Sequence, residues 1–370
     1  MSAASEPDSV SRPLAEVIRR AATAAGGWLP FDRFMALALY EPGLGYYAHT
    51  APKFGLMPES GSDFVTAPEL SPLFGRTLAR QLRQTLEAAG SGQVIEFGAG
   101  SGALAEQLLD ALGDAVQDYA IVDLSGVLRA RQQARLARFG TRVRWLDRLP
   151  EAINGAVIGN EVLDAMPVQL LHWDGERWFE RGIVPDGDGD GDGWAWADRP
   201  TALRPPLDIV FPPGTVTEIH PQAEAFIASL AERLQRGAAY FIDYGFPEAE
   251  YYHPQRAGGT LMCHRGHRAD ADPLADVGLK DITAHVNFTG IALAAQQAGL
   301  DVLGYTSQAR FLLNCGLLGL LESADAAQRG MAQKLITEHE MGELFKVIAL
   351  GRGLDIDPIG FASGDRTHRL

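Results

Sequence analysis

The chain has 370 residues, 46% of them hydrophobic, and carries a formal net charge of −15. This size allows either one large core with an appendage or two modest domains. The excess of acids argues against a nucleic-acid substrate, because a phosphate backbone would be repelled, and it favours a basic partner.

The N-terminal residues are not expected to form a targeting signal. Met1 to Pro13 contain Glu6 and Asp8 but no apolar core, unlike a secretory signal or an acid-poor transit peptide, and they are predicted to form a disordered tail. No apolar run reaches the length needed to cross a bilayer. The two cysteines, Cys263 and Cys315, provide no disulfide framework. A cytoplasmic protein without a membrane span is expected.

Apolar residues at helical spacing predict helices before the first strand, over Leu14–Ala25, Phe31–Tyr40 and Pro72–Ala89. The segment Gly61–Gly75 reads as an ordered loop that runs into the last of these helices, with Ser71 as its N-cap. This segment either buttresses the sheet or closes over a ligand. As a lid it would bring three side chains to the pocket: Asp63, Phe64 and Thr66.

The segment Val94–Gly102 reads as an apolar strand with the acid Glu96 near its end, followed by glycines at every second position: Gly98, Gly100 and Gly102. With the helix Ala103–Leu112 after it, this pattern lets the backbone approach a ligand at a helix N-terminus. The third glycine comes one residue too early for the dinucleotide pattern. An acid would also be a poor neighbour for a pyrophosphate. It suits a cationic ligand such as S-adenosylmethionine, which has an ammonium and a sulfonium.

A second short strand, Tyr119–Asp123, also ends in an acid. It lies roughly twenty residues downstream, where nucleotide-binding folds place a carboxylate on the ribose hydroxyls. Asp123 is therefore predicted to bind the ribose. In the alternative interpretation, Asp123 or Ser125 only caps the helix Gly126–Phe139.

Strands and helices alternate from the glycine turn to near the end of the chain, which predicts a mostly parallel α/β sheet with helices on both faces. The helices are Gln222–Gln235 and Phe288–Ala298, and the remaining strands are Arg142–Leu146, Ala156–Gly159, Ala238–Tyr244, Val302–Tyr305 and Lys346–Leu350.

A hairpin is predicted within Val168–Ile183, because Asp174-Gly175 between alternating residues is a strong hairpin turn. The predicted organisation is an N-terminal helical extension and lid segment over 1–90, then a catalytic domain over 91–370 with an inserted hairpin region at about 168–215.

Acids also follow the strand Ala156–Gly159. Glu161 and Asp164 are one helical step apart, so both could face the pocket. There they could hold a cationic acceptor through charge-assisted hydrogen bonds. In the alternative interpretation, Asn160 and Asp164 only cap a turn before Pro167.

Further along, Asp281–Phe288 is either a plain helix start capped by Asp281 or Thr283, or a segment that brings His285 to the acceptor. Tyr244, after the acid Asp243, could line the substrate entrance.

Two motifs imitate metal sites. Cys263–His267 lacks the further ligand pair that zinc needs. The repeat that starts at Asp186 has Ala197 at the twelfth position, where a calcium loop requires a bidentate glutamate. No metal is expected.

Several of these segments together resemble the MidA family of class I methyltransferases, which includes the mitochondrial arginine methyltransferase that acts in respiratory complex I assembly. The resemblance runs from about Leu14 to Leu350 and rests on specific motifs: Gly45–Tyr47, Gly61–Gly75, Glu96–Gly102, Gly159–Val168 and Asp281–Phe288. Ala99 and Ser101 depart from the proline or glycine and the arginine of many relatives, and Asn287 departs from a common aspartate. These departures concern details of cofactor contact.

The resemblance implies a Rossmann-like seven-stranded sheet and methyl transfer from S-adenosylmethionine to an arginine of a complex I subunit, with symmetric dimethylation as the outcome known in mitochondria. The residues predicted to be catalytic are Glu161, Asp164 and His285. The residues predicted to bind the cofactor are Glu96, Gly98, Gly100, Gly102, Asp123, Asn160 and Thr66.

Other interpretations stay open: an assembly factor that binds the cofactor without turnover, a nicotinamide oxidoreductase, and a methyltransferase of a small molecule. The intact glycine turn with its acids argues against the first, and the glycine spacing argues against the second. The expected partner is a protein with an exposed arginine. The inserted hairpin is a candidate surface for a homodimer.

Overall fold

A computed structural model describes residues 6–48, 66–123, 125–187, 193–266 and 268–370. Its helices, in chain order, are α1 (Glu6–Ala24), α2 (Phe31–Tyr40), α3 (Ala67–Leu70), α4 (Pro72–Ala89), α5 (Ala103–Leu112), α6 (Gly126–Leu136), α7 (Pro221–Arg233), α8 (Glu248–Tyr251), α9 (Phe288–Gln297), α10 (Gln308–Asn314), α11 (Leu317–Glu322) and α12 (Ala326–Ile336).

The strands are β1 (Leu29–Pro30), β2 (Gln93–Phe97), β3 (Asp118–Val122), β4 (Val143–Leu146), β5 (Ile153–Asn160), β6 (Gln169–Trp173), β7 (Trp178–Pro185), β8 (Trp194–Pro200), β9 (Thr215–Ile219), β10 (Leu234–Phe246), β11 (Met262–Arg265), β12 (Arg268–Asp270), β13 (Asp281–Thr283), β14 (Val286–Asn287), β15 (Asp301–Ser307) and β16 (Phe345–Arg352).

The main sheet has the order β15-β16-β10-β5-β2-β3-β4, with β14 paired to the end of β10. The pairs from β4 to β10 are parallel, while β16 runs antiparallel to both β10 and β15. Every strand predicted for this sheet is present, so the predicted α/β fold is confirmed. The strand order reverses between β2 and β5, and parallel α/β sheets open a crevice at the carboxyl ends of such strands.

Helices cover both faces of this sheet, as the alternating pattern predicts. On one face α4 and α5 bury apolar side chains such as Leu82 and Leu108, and on the other α7 and α9 bury Ile227 and Ile291. Ser71 caps α4 by accepting the Leu73 N–H at 3.2 Å, and Pro72 follows at the first helical position. Because α4 packs directly on the sheet, it anchors the short helix α3 just before it. The division of the chain near residue 90 stays a prediction.

A second sheet, of order β1-β7-β6-β9 with β8 beside β7, is built mainly from the chain between β5 and β10. The predicted hairpin is confirmed as the antiparallel pair β6 and β7. The N-terminal helices share a core with this sheet, in which Ile18 and Phe34 pack with Leu170 and Ile183. A small sheet of order β12-β11-β13 joins the same core through Cys263 and Ile282.

Two local predictions are wrong. The disordered tail predicted over Met1–Pro13 is contradicted from Glu6 onward, because α1 begins there and includes Pro13. A proline inside a helix removes one hydrogen bond, but the buried face that starts at Leu14 sustains the helix. The capping role of Asp281 or Thr283 is also wrong, since both lie in β13 and Asn287 caps α9 by accepting the Gly290 N–H at 3.3 Å.

In the part of the chain that the structure describes, no helix is both long and apolar enough to span a membrane.

Arg352, at the end of β16, lies at the end of the sheet opposite the crevice and holds two helices there. Its guanidinium donates to the carbonyl oxygens of Ala231 at 2.7 Å in the last turn of α7, of Leu234 at 3.1 Å just after α7, and of Ala298 at 2.8 Å just after α9. Helix ends leave such carbonyls without partners inside the helix. One side chain therefore fixes the ends of two helices against the sheet.

We expect Arg352→Leu to lower the free energy of unfolding by about 2–3 kcal/mol, because it leaves these carbonyls without their charged donor. Chemical denaturation measures this loss. Arg352→Lys should lose about half as much, and affinity for S-adenosylmethionine should stay unchanged in both variants because Arg352 pairs with Gly237 at the far edge of the sheet. An unfolding free energy equal to the wild-type value would contradict the role of Arg352.

Candidate active site

A cavity of about 830 Å³ lies at the carboxyl ends of the parallel strands. Nine of the ten residues predicted for the site line it: Thr66, Glu96, Gly98, Gly100, Asp123, Asn160, Glu161, Asp164 and His285. The tenth, Gly102, is not among the lining residues and stands at the N-terminal end of α5. Asp63 and Phe64 of the predicted lid lie outside the described residues.

The glycine turn between β2 and α5 takes a backbone path that other residues disfavour. Gly98 has φ +59° and Gly100 has φ +53°, both in the left-handed region. A Cβ atom at Gly98 would lie 3.1 Å from Val162 Cγ2, so the turn passes close to the chain that follows β5. The turn is therefore a cradle that a side chain would fill, as the sequence predicts for a loop that approaches a ligand.

Glu96 lies under this turn and is 2% exposed. The Tyr119 hydroxyl donates to Glu96 Oε2 at 2.7 Å. Burial raises the pKa of Glu96 to about 8, and the negative charge of Asp123 adds to the shift. The carboxylate at this place would gain stability from a cation in the cavity.

Asp123 lines the cavity beside the cap of α6, and its predicted ribose role stays a prediction. Ser125 caps α6 by accepting the Leu128 N–H at 3.2 Å, whereas Asp123 lines the cavity and accepts the Ser125 N–H at 2.9 Å. Burial raises the pKa of Asp123.

Gln132 joins Asp123 to the glycine turn and is not among the residues predicted from the sequence. Its Nε2 donates to Asp123 Oδ2 at 2.7 Å and to the Gly100 carbonyl at 3.0 Å, and the Trp145 indole N–H donates to its Oε1 at 2.9 Å. A signal for it exists in the sequence, because Gln132 shares the apolar face of α6 with Leu128 and Leu136 and is the polar residue on that face.

The turn after β5 carries Glu161 and Asp164 in a fixed conformation, and we call it the acid turn. Glu161 has φ +55°, which is uncommon for a residue with a side chain and typical of functional turns. Asp243, at the end of β10, holds this turn by accepting the backbone N–H groups of Val162 at 3.1 Å, Leu163 at 2.9 Å and Asp164 at 3.2 Å. Asp243 was not assigned a role from the sequence, although it is another acid at the end of a parallel strand.

The two acids have raised pKa values. Desolvation and the negative charge of Asp164 raise the pKa of Glu161 to about 8. Hydrogen bonds from Asn160 and from the Ala67 backbone amide lower this pKa but do not cancel the rise. Burial raises the pKa of Asp164 to about 6, although the Tyr244 hydroxyl donates to its Oδ2. Neither carboxylate forms an ion pair within the described residues. The turn therefore presents acids that lack a cationic partner.

Three buried polar atoms around this turn have no hydrogen-bond partner in the described part of the protein: Asn160 Oδ1, Asp164 Oδ1 and His285 Nδ1. Buried polar atoms normally find partners. All three residues line the cavity, so these atoms mark where donors of a ligand would bind.

His285 reaches the cavity from the chain after β13. Thr260 Oγ1 accepts its backbone N–H at 3.1 Å, and its ring meets Tyr244 edge-on with centroids 5.2 Å apart. Burial lowers the pKa of His285 to about 4, and the charges of Arg256 and Lys346 lower it further. The imidazole is therefore neutral at pH 7.

The N-terminal segment supplies an aromatic wall. The rings of Tyr40 and Tyr47 stack with centroids 5.6 Å apart. The Tyr40 hydroxyl donates to the Ala165 carbonyl at 2.8 Å, and the Tyr47 hydroxyl donates to Asp281 Oδ1 at 2.9 Å. These contacts join the N-terminal segment to the chain just after the acid turn and to β13, and neither tyrosine was predicted as a site residue.

Thr66 precedes α3, which a polar cluster holds against the glycine turn. The Ser101 hydroxyl donates to Glu69, and Arg135 from α6 donates to Ser101 Oγ at 2.5 Å and to Glu69 Oε1 at 3.3 Å. The start of the Gly61–Gly75 segment lies outside the described residues, so its closure as a lid stays a prediction.

Within the described residues, no three His, Cys, Asp or Glu side chains form a group that could hold a metal ion. His267 of the zinc-like motif, and Asp188 and Asp190 of the calcium-like repeat, lie outside them. Cys263 lies in β11, and its side chain is buried in the core shared with the N-terminal helices.

A family model described as "Putative S-adenosyl-L-methionine-dependent methyltransferase" matches residues 74–306. Among curated relatives, the Danio rerio protein arginine methyltransferase NDUFAF7, mitochondrial, is 28% identical over 88% of this chain and 84% of its own. The Caenorhabditis elegans homologue is 26% identical over 79% and 74%. A crystal structure of a "likely methyl transferase" from Burkholderia thailandensis, bound to S-adenosyl-homocysteine, is 51% identical, with a TM-score of 0.94 over 100% of both chains.

These comparisons correct one expectation. The cytoplasmic location is contradicted by the curated relatives, whose names place them in the mitochondrion. That expectation depended on the missing signal pattern in the first residues and on the lack of a disulfide framework and of a membrane-length apolar run, and such absences do not define a compartment. The homodimer through the inserted hairpin has no support in the comparisons.

We expect Glu161→Gln to stabilise the ligand-free protein at pH 8 by up to about 4 kcal/mol. A folded-state pKa raised to about 8 means that folding disfavours the ionised form. The resulting loss of stability is absent below the unfolded pKa and complete above the folded pKa. Thermal unfolding from pH 5 to pH 8 should therefore show a growing difference between variant and wild type.

Glu87→Gln, on the exposed face of α4, is the matched control. A Glu161→Gln variant less stable than wild type at pH 8 would contradict this account of the acid turn.

Proposed function

The chain belongs to the family of S-adenosyl-L-methionine-dependent methyltransferases described above, and we propose that it methylates an arginine side chain of a protein. The observation that carries the proposal is the pair Glu161, half-buried at the cavity, and Asp164, 4% exposed, neither of which forms an ion pair among the described residues. A cation that binds beside these carboxyl groups stabilises their ionised form, which burial destabilises. A guanidinium suits the pair because its planar array of donors matches carboxylate geometry.

The half of the cavity bounded by the glycine turn, Asp123 and Asn160 is the proposed cofactor site. The left-handed glycines leave room for close approach, and Asp123 is placed to accept hydrogen bonds from ribose hydroxyls. Glu96 and the unpartnered Asn160 Oδ1 would face the positively charged part of the cofactor. When bound, the cofactor supplies a methyl carbon made electrophilic by its sulfonium.

The proposed acceptor site is the other half of the cavity, where Glu161, Asp164 and His285 orient the guanidinium. One guanidinium nitrogen bonds to the methyl carbon as the carbon–sulfur bond breaks, and the electron pair of that bond stays on sulfur. The methylated nitrogen then releases one proton. Glu161 is the proposed base, because its raised pKa matches neutral pH.

Asp164, whose side chain accepts from the Tyr244 hydroxyl and whose backbone N–H donates to Asp243, is the proposed orienting carboxylate. The neutral His285 would accept a guanidinium N–H at Nδ1. Orientation matters more than acid–base strength here, since methyl transfer is an in-line displacement.

The acceptor is proposed to be a protein because the curated relatives are named protein arginine methyltransferases and span most of this chain. A subunit of respiratory complex I is the specific candidate that the family resemblance implies.

We expect Glu161→Gln and Asp164→Asn to bind S-adenosylmethionine with nearly wild-type affinity and to lose about 100-fold or more in methyl transfer. The assay incubates isotopically labelled cofactor with a lysate that lacks this protein and maps the labelled residue by mass spectrometry. Glu87→Gln serves as the control and should label as wild type does. Gly100→Val should lose both cofactor binding and transfer.

Label on a residue other than arginine would overturn the proposed acceptor while leaving the methyltransferase class intact. Cofactor binding that survives Gly100→Val would overturn the placement of the cofactor site.

A further inference from the structure

Two exposed apolar side chains stand at the acceptor half of the cavity. Seven large apolar side chains are exposed in the described part of the chain, and two of them line the cavity: Met262, 38% exposed, and Leu344, 51% exposed. Exposed apolar surface beside a binding site is typical of a surface that a partner covers. Asp164 of the same cavity is 4% exposed, so apolar side chains at the surface adjoin a buried carboxyl group.

Leu344 is held in place despite its exposure. The Lys346 ammonium donates to the carbonyl of Leu344 at 3.4 Å and to that of Glu343, and Arg366 Nη2 donates to Glu343 Oε2 at 3.1 Å. The next residue, Phe345, begins β16 and pairs with Tyr244, whose hydroxyl binds Asp164. Leu344 is therefore fixed to the same frame as the acid turn.

Met262 is fixed in a similar way. It begins β11 and pairs with Thr283 of β13, two residues before His285. The segment before it is held by the buried Glu218, which accepts the N–H groups of Thr260 at 2.8 Å and Leu261 at 3.1 Å. Rigid placement means that binding at these side chains orders no additional loop.

We infer that the acceptor segment carries a large apolar side chain next to its target arginine, and that Met262 and Leu344 bind that side chain. This inference rests on the proposed arginine methylation. An arginine that reaches the acids leaves its own backbone at the opening of the cavity. The residues next to it in the acceptor chain then contact Met262 and Leu344, which we call the rim. Charge complementarity supports a cationic polypeptide, and the net charge of −15 disfavours an anionic membrane as the occupant.

The test uses two peptides that are identical except for leucine or serine next to a single arginine. Binding to the protein with S-adenosyl-homocysteine is measured by fluorescence anisotropy. We expect the leucine peptide to bind about tenfold more tightly, because it buries an apolar side chain that serine lacks. Leu344→Asn and Met262→Gln, which keep the size of each side chain, should each reduce this preference to about threefold or less.

Leu318→Asn is the matched control, since Leu318 is 59% exposed on α11 and does not line the cavity. It should keep the tenfold preference. Equal binding of both peptides by wild type, or a preference that both rim variants retain in full, overturns the inference. So does binding to neutral phospholipid vesicles that the rim variants alone abolish, because the rim would then be a lipid contact.

Methyl transfer to the two peptides separates this inference from the proposed function. Binding preference without transfer to either peptide counts against arginine methylation and supports the apolar rim. Transfer to both peptides with equal KM supports arginine methylation and overturns the rim.

Discussion

The constraint on which the site depends is the burial of carboxylates at one end of a parallel sheet without cations to neutralise them. Glu96, Glu161 and Asp164 each have a raised pKa for this reason, and the last two gain nothing from an ion pair among the described residues. Such burial costs folding free energy until a cation arrives. A cationic cofactor and a cationic acceptor are the ligands that offset this cost. The buried carboxylates therefore both lower the stability of the ligand-free protein and provide its affinity for cations.

The surrounding structure holds these acids where they would otherwise repel one another. Asp243 fixes the acid turn through three backbone amides, and Gln132 fixes Asp123 to the glycine turn. These supporting groups are themselves buried, so their hydrogen bonds are strong and their loss would leave unpaired polar groups. The site is therefore organised before any ligand binds, which spares a displacement reaction the entropy of alignment.

The sequence was sufficient for the main sheet and placed nine of its ten predicted site residues on the cavity. Buried parallel strands read as short apolar runs, and acids at their ends converge because the carboxyl ends of such strands meet at one edge. That reasoning located Glu96, Asp123 and Glu161. It could not locate Tyr40, Tyr47 or the arrangement of β8, β9 and β11, because these depend on contacts between segments far apart in the chain. Local periodicity carries no information about which distant segment completes a wall.

The packing of the N-terminal helices on the inserted sheet has an evolutionary consequence. One continuous stretch, from the glycine turn to the acid turn, contributes most of the proposed cofactor site, whereas separate surface segments contribute the opposite wall. Substitutions in those outer segments can change which partner is recognised while the proposed cofactor site stays intact. Descendants of one ancestral chain could thus diverge in their targets by exchanging a few wall residues, without rebuilding the sheet.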